Sequence, residues 1–227
     1  MSSTTTVLKL LSFRLSREEM FQFKARHFFI GLLGTWLVGI GRYWDDPKAS
    51  LLQHMGLGSV IYIFLLAAFI WLIVLPFKVE RWHYFNVLTF VSLTSFPAIF
   101  YAIPVERFTT MDQANTINVW FLAIVASWRL GLLFYFIRRY TRLSGFNILT
   151  LTLMPICVII TTLFALNLHG VVFQIMGGLE KTPTPHDASY AVLMTLTFVS
   201  VILVIPLLIA YGAGIAHQRD KDKRQNH

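Results

Sequence analysis

Charge is scarce in this chain. Asp, Glu, Lys and Arg make up 13% of its 227 residues, against about 25% in soluble globular domains. That shortage, with 56% hydrophobic residues and a mean hydropathy of +0.64, excludes an ordinary soluble fold and a disordered chain. Cysteine is scarcer still. Cys157 stands alone inside an apolar run, which excludes a disulfide scaffold and leaves the redox compartment unreadable. The sequence also lacks a CxxC pair, an HExxH motif, an acidic metal-ligand run and a GxSxG context. Zinc, iron and serine-hydrolase chemistry therefore have no signature in it. No cofactor is expected. There is no short apolar signal peptide, amino-terminal Met-Gly or prenylation box, so the chain is expected to be anchored by its own spans.

What is abundant is apolar bulk, including 20 phenylalanines. A helical crossing needs about 20 mainly apolar residues, and six segments qualify: His27–Trp44, Gly56–Phe77, Tyr84–Pro104, Ile117–Ile137, Phe146–Leu168 and Tyr190–Ala216. The first is short and interrupted by Gly31, Gly34, Gly39 and Gly41, so a re-entrant or interfacial helix is its alternative. The expected fold is an all-α polytopic membrane protein of six transmembrane helices with a short interfacial amphipathic helix before them. Residues 1–26 form the cytoplasmic or interfacial segment, 27–216 the transmembrane domain and 217–227 a charged cytoplasmic tail.

Lys and Arg orient the spans. Lys9, Arg14, Arg17, Lys24 and Arg26, then Lys78 and Arg81, then Arg138, Arg139 and Arg142, then Arg219, Lys221, Lys223 and Arg224 all fall on one side. Only Arg42, Lys48, Arg107 and Lys181 fall on the other. The positive-inside rule puts the rich side, and both termini, in the cytoplasm. The net charge of +8 reflects this sidedness, and no nucleic-acid partner is inferred from it. The absence of glycosylation sequons on the outer loops and of sorting signals points to a bacterial inner membrane.

At the amino terminus, VLKLLSFRL puts Leu8, Leu11 and Leu15 on one helical face, the pattern of a helix lying in the interface. Ser16-Arg17-Glu18-Glu19 reads as a capping box with Leu15 and Met20 as its hydrophobic staple. The spacing predicts a fresh helix from Arg17 running into the first span. Between spans five and six, the long stretch His169–Ser189 contains VVFQIM and two glycines and could dip into the membrane surface before TPTP turns it back.

Arg129 is the most unusual residue. It lies nine positions before Arg138, or about 13 Å by helical rise, near the middle of span four. A mid-membrane arginine costs about 2.5–3.5 kcal/mol on insertion scales and must face protein or water. Its own helix offers only Val125, Ala126, Leu132 and Leu133 as neighbours. Partners are sought among Thr89, Ser92, Thr94 and Ser95 of span three, Asn118, or an inward carboxylate. Arg129 with Asn118 is thus a candidate anion or gating site, or else a clamp that fixes helix packing.

A second group gathers on the outer side: Arg42, Asp45, Asp46, His54, Glu106 and His169, with Arg107, Asp112, Glu180 and Asp187 nearby. It is either a neutralising rim or a cation or proton entry site. His27 and His83 on one side and His54 and His169 on the other sit at span edges, where paired haem ligands are not expected. Gly31, Thr35 and Gly39 recur every four residues, a small-residue stripe that lets helices approach closely. Pro97, Pro155 and Pro206 lie inside spans three, five and six and should bend them.

These features point to a non-catalytic integral membrane subunit or scaffold, set in a lipid bilayer and forming a homo-oligomer or a complex with another membrane protein. A small transporter or channel using Arg129 is the alternative, and an intramembrane enzyme the third reading.

Overall fold

The computed structural model describes residues 3–43, 50–166, 168 and 188–225. Asp45, Asp46 and residues 169–187 of the long outer connection, His169 among them, lie outside the described residues. Every regular element among the described residues is helical: α1 (Ser3–Leu11), α2 (Arg17–Phe21), α3 (Ala25–Tyr43), α4 (Leu51–His54), α5 (Leu57–Val74), α6 (Tyr84–Leu93), α7 (Met111–Thr141), α8 (Gly145–Ala165) and α9 (Ala188–Gln225), with short 3-10 turns between some of them. Among the described residues, five stretches are long and apolar enough to cross a membrane: Leu57–Phe77, Tyr84–Ala102, Thr116–Thr141, Gly145–Ala165 and Met194–Lys221. The apolar part of α3, Ala25–Gly41, is shorter.

The chain divides into two compact units, Met1–Arg107 with Ala123–Arg142, and Phe108–Leu122 with Leu143–His227. In the first unit α6 is the central helix. Its apolar stretch is 67% buried, against 33% for the Leu57–Phe77 stretch, and α3 and α5 both pack on it. The approach of α3 is set by missing side chains. A Cβ added at Gly31 would fall 2.8 Å from the Ser92 carbonyl carbon and 2.9 Å from the Leu93 nitrogen. At Gly39 it would fall 2.8 Å from Ser59 Oγ of α5. Between them Thr35 Oγ1 lies 2.9 Å from the Gly31 carbonyl oxygen and 2.8 Å from Ser95 Oγ, giving the seam a polar stitch in an apolar contact.

The capping box at α2 is complete. The Glu19 amide donates to Ser16 Oγ at 3.3 Å, and the Ser16 amide donates to Glu19 Oε2 at 2.8 Å. Leu15 and Met20, the staple pair, are fully buried. The helix does not run on into α3, however. It stops at Phe21, and the Lys24 amide donates to Nδ1 of His27 at 3.0 Å. His27 thus caps a new helix from its third position, which allows the chain to turn between α2 and α3.

Pro97 ends the α-helical geometry of the third apolar segment rather than bending it. Past Leu93 the chain winds as a 3-10 helix over Phe96–Ala102 with Pro97 in its first turn. Proline has no amide to bond the preceding turn, and the Ser92 and Thr94 hydroxyls donate to the Thr89 and Val91 carbonyls at 2.8 Å each. Pro155 and Pro206, by contrast, sit inside continuous helices.

In the second unit α8 packs against α9. Thr152 donates to the Ile148 carbonyl at 2.7 Å, and Cys157 of α8 is buried. Thr197 and Ser200 of α9 are buried, so small polar side chains line this helix pair too. The Ser144 hydroxyl caps α8 by accepting from the Asn147 amide at 3.4 Å. The tail beyond Ala216 is a continuation of α9 as far as Gln225.

Candidate functional site

The richest polar construction is the end of the first unit where α7 finishes. It begins with Tyr140, fully buried on α7. Its hydroxyl donates to the Arg81 carbonyl at 2.5 Å and accepts from Asn86 Nδ2 at 2.7 Å. Its ring meets those of Phe21 and Trp82 edge-on at 4.8 and 5.1 Å, and Phe136, one turn earlier, stacks on Phe90 at 4.0 Å. A tyrosine suits this place because it fills an apolar core while its hydroxyl satisfies a loop carbonyl.

Against this core the amino-terminal arm is strapped lengthwise along α7. Trp128 Nε1 donates to the Leu11 carbonyl at 3.0 Å, the Tyr135 hydroxyl to the Leu15 carbonyl at 2.5 Å, and Arg17 Nε to the Tyr140 carbonyl at 3.0 Å. The Phe13 ring packs edge-on against Tyr135 at 5.7 Å. Residues 11 to 17 therefore descend beside positions 128 to 140. Lys9 Nζ bonds Glu19 Oε1 at 2.6 Å and ties α1 to α2. That ammonium, with the Ser16 amide, holds the Glu19 carboxyl below its ordinary range.

Phe13, Arg81 and Arg142 all have positive φ, at 59°, 55° and 57°. Such left-handed backbone is uncommon for side-chain-bearing residues, and it marks the corners where arm and loop turn sharply. Arg17 also reaches Glu80 at 3.5 Å, and the Arg17 and Arg81 guanidiniums lie over the Phe21 ring at 4.8 and 5.4 Å.

Between arm and helix end opens a cleft of about 590 Å³ lined by Arg14, Ser16, Arg17, Glu18, Tyr135, Arg138, Arg139 and Arg142. Five guanidiniums face one carboxylate there. Along the sequence these arginines serve only to orient the chain, since they come from two segments more than a hundred positions apart. The signal that could have found them is the periodicity of Arg138 and Arg142, four positions apart and so on one side at the end of α7.

The residues singled out from sequence are placed elsewhere. Arg129 is half-buried on α7 and makes no hydrogen bond or ion pair among the described residues. Three of the hydroxyls proposed as its partners, Thr89, Ser92 and Thr94, donate to carbonyls of their own helix, and the fourth, Ser95, meets Thr35. Asn118 lies on α7 eleven positions before Arg129. Of the outer cluster, His54 is half-buried at the end of α4, Arg42 and Glu106 fall within helical elements, and Asp45, Asp46 and His169 are outside the described residues. Among the described residues, no group of His, Cys, Asp and Glu is arranged to hold a metal ion. Gly31, Thr35 and Gly39 lie at the contacts of α3 with α6 and α5.

No protein-family model, curated protein or solved structure matches this chain.

Proposed function

We propose that this protein is a non-catalytic integral membrane subunit or scaffold that associates with itself or with another membrane protein. The observation that supports this reading is how the fold uses its polar side chains. Thr35, Trp128, Tyr135, Tyr140 and Arg17 each join two segments distant in sequence, so they fasten a framework rather than converge on a reacting atom. The close-approach face of α3 is occupied by α5 and α6 of the same chain, and association is proposed through other faces.

In this reading α3 is a sixth crossing. Its 19 residues extend about 28 Å at 1.5 Å per residue, near the roughly 30 Å of a hydrocarbon core. The Lys and Arg excess at the 78–84, 138–145 and 217–227 stretches supports cytoplasmic termini, and the absence of outer-loop glycosylation sequons supports a bacterial inner membrane. The amphipathic arm is a membrane-seated element. Leu11 is bonded at the level of Trp128, ten positions and about 15 Å before Arg138, deeper than the 5–10 Å of a helix resting on the interface.

The test is purification from native membranes at native expression, with particle mass and co-purifying proteins determined together. A stoichiometric partner or a defined homo-oligomer is expected. A monomer without partners would overturn the reading. Reporters fused after Lys78 and after Lys181 should read on opposite sides of the membrane.

A second reading, a small transporter or channel, is favoured by Arg129 itself, a half-buried cation without a side-chain partner among the described residues. Arg129→Gln in proteoliposomes separates the two: loss of anion flux with unchanged folding supports transport, and absence of flux in the unaltered protein removes it.

A further inference from the structure

We propose that the arginine-lined cleft between the amino-terminal arm and the end of α7 is a binding site for a phosphate group, carried by a phospholipid headgroup or by a soluble phosphoester. Its volume, about 590 Å³, lies within the roughly 300–1,000 Å³ of small-ligand pockets.

The arginines divide by what already engages them. Arg17 is occupied structurally, through the Tyr140 carbonyl, Glu80 and the Phe21 ring, and Arg139 lies over the Tyr135 ring at 6.0 Å. Arg14, Arg138 and Arg142 are exposed, and their guanidiniums have no hydrogen-bond or ion-pair partner among the described residues. Glu18, the carboxylate of the cleft, is exposed too and pairs with none of them. Three guanidinium forks thus line one cleft with their donors unspent, and planar forks suit the oxygens of a phosphate better than the point charge of lysine does.

The cleft is also held in shape. Tyr135 and Arg17, two of its lining residues, are the straps that bind the arm to α7, so the spacing between Arg14 and the pair Arg138 and Arg142 is fixed by hydrogen bonds on either side of it. A charged face that served only membrane sidedness would need no such fastening. The position also fits, because Arg138 and Arg142 flank Thr141, the end of an apolar stretch long enough to span a bilayer, which is the depth of lipid headgroups.

The test uses the full chain in phosphatidylcholine nanodiscs with and without phosphatidic acid, whose headgroup is a phosphate monoester, and separately with inorganic phosphate followed by isotope dialysis. Preferential retention of phosphatidic acid over phosphatidylcholine is expected. It should weaken at least about tenfold in R14Q/R138Q/R142Q and stay within about twofold in R219Q/K221Q/K223Q, which removes as much charge from the tail of α9. Retention of phosphatidic acid without binding of inorganic phosphate assigns the lipid source. Saturable binding of inorganic phosphate that displaces phosphatidic acid assigns the soluble one. Equal retention of both lipids with no phosphate binding overturns the proposal, as does equal weakening in the two triple variants. If R14Q/R138Q/R142Q does not fold, R138K and R142K decide, since they keep the charge and lose the fork: severalfold weaker binding supports the site, and unchanged binding overturns it.

Discussion

The Tyr140 hydroxyl donates to the carbonyl of Arg81 at 2.5 Å, and Arg81 is itself held in left-handed backbone at φ 55°. One side chain near the end of α7 thereby fixes the turn that leads into α6. Tyr140→Phe keeps the ring in its aromatic cluster but leaves the Arg81 carbonyl and the Asn86 amide without their shared partner. A loss of about 1–3 kcal/mol is expected, seen as a lowered Tm in detergent. An unchanged Tm would mean that water replaces the hydroxyl.

Gly31→Ala puts a methyl group 2.8 Å from the Ser92 carbonyl carbon, backbone that cannot swing aside. Destabilisation of about 1–3 kcal/mol is expected from overpacking. Gly212→Ala, with open space around it, is the paired control and should be neutral or slightly stabilising. Equal behaviour of the two variants would show that α3 does not pack this closely on α6.

Glu19 makes the attachment of the arm pH-dependent. Its carboxyl is held below the ordinary value of 4.5 by the Lys9 hydrogen bond and then by the Ser16 amide. A depressed folded-state pKa contributes stability that is present above 4.5 and lost as pH falls through the lower folded value. Hydrogen-exchange protection of residues 16–20, taken relative to the intrinsic exchange rate at each pH, should therefore fall on acidification below about pH 4.5, while protection in α5 stays constant. Glu19→Gln should show the lowered protection already at neutral pH and little further change in acid.

Trp128→Phe removes the donor to the Leu11 carbonyl and preserves most of the apolar contact. Faster exchange across α1 with an unchanged Tm for the remainder is expected, because the bond joins the arm to α7 and not the helices to each other. A cysteine at Leu8, which is 63% exposed, should react slowly with a membrane-impermeant maleimide in vesicles opened on both sides, and faster in the Trp128 variant. Rapid labelling of the cysteine at position 8 with Trp128 intact would place α1 in water.

The helical character, the five long apolar stretches and the capping box at Ser16 were legible in the sequence because each depends on residues close together along the chain. The burial of Leu15 and Met20 was legible for the same reason. The break after Phe21 was not, since it rests on His27 taking over a capping role that histidine seldom plays in sequence patterns. Pro97 announced an interruption without saying that 3-10 winding would replace the α-helix. The descent of the arm along α7 depends on Trp128, Tyr135 and Tyr140 meeting carbonyls or an arm side chain more than a hundred positions away, and a carbonyl carries no sequence signature. The arginine cleft was hidden for that reason, while Arg129, conspicuous in one dimension, has its expected hydroxyl partners committed elsewhere.

The length of α9 has a mechanical meaning. At 1.5 Å per residue its 38 residues make a rod of about 57 Å, nearly twice the hydrocarbon thickness of a bilayer. Its final stretch, residues 217–225, holds Arg219, Lys221, Lys223 and Arg224 on a stiff mast instead of a tether. A tether samples a wide volume and captures partners at many heights, whereas a mast presents its charges at one stand-off distance. Whatever meets this end of the protein must come to that height, and a glycine pair inserted after Ala216 would convert the gauge into a leash.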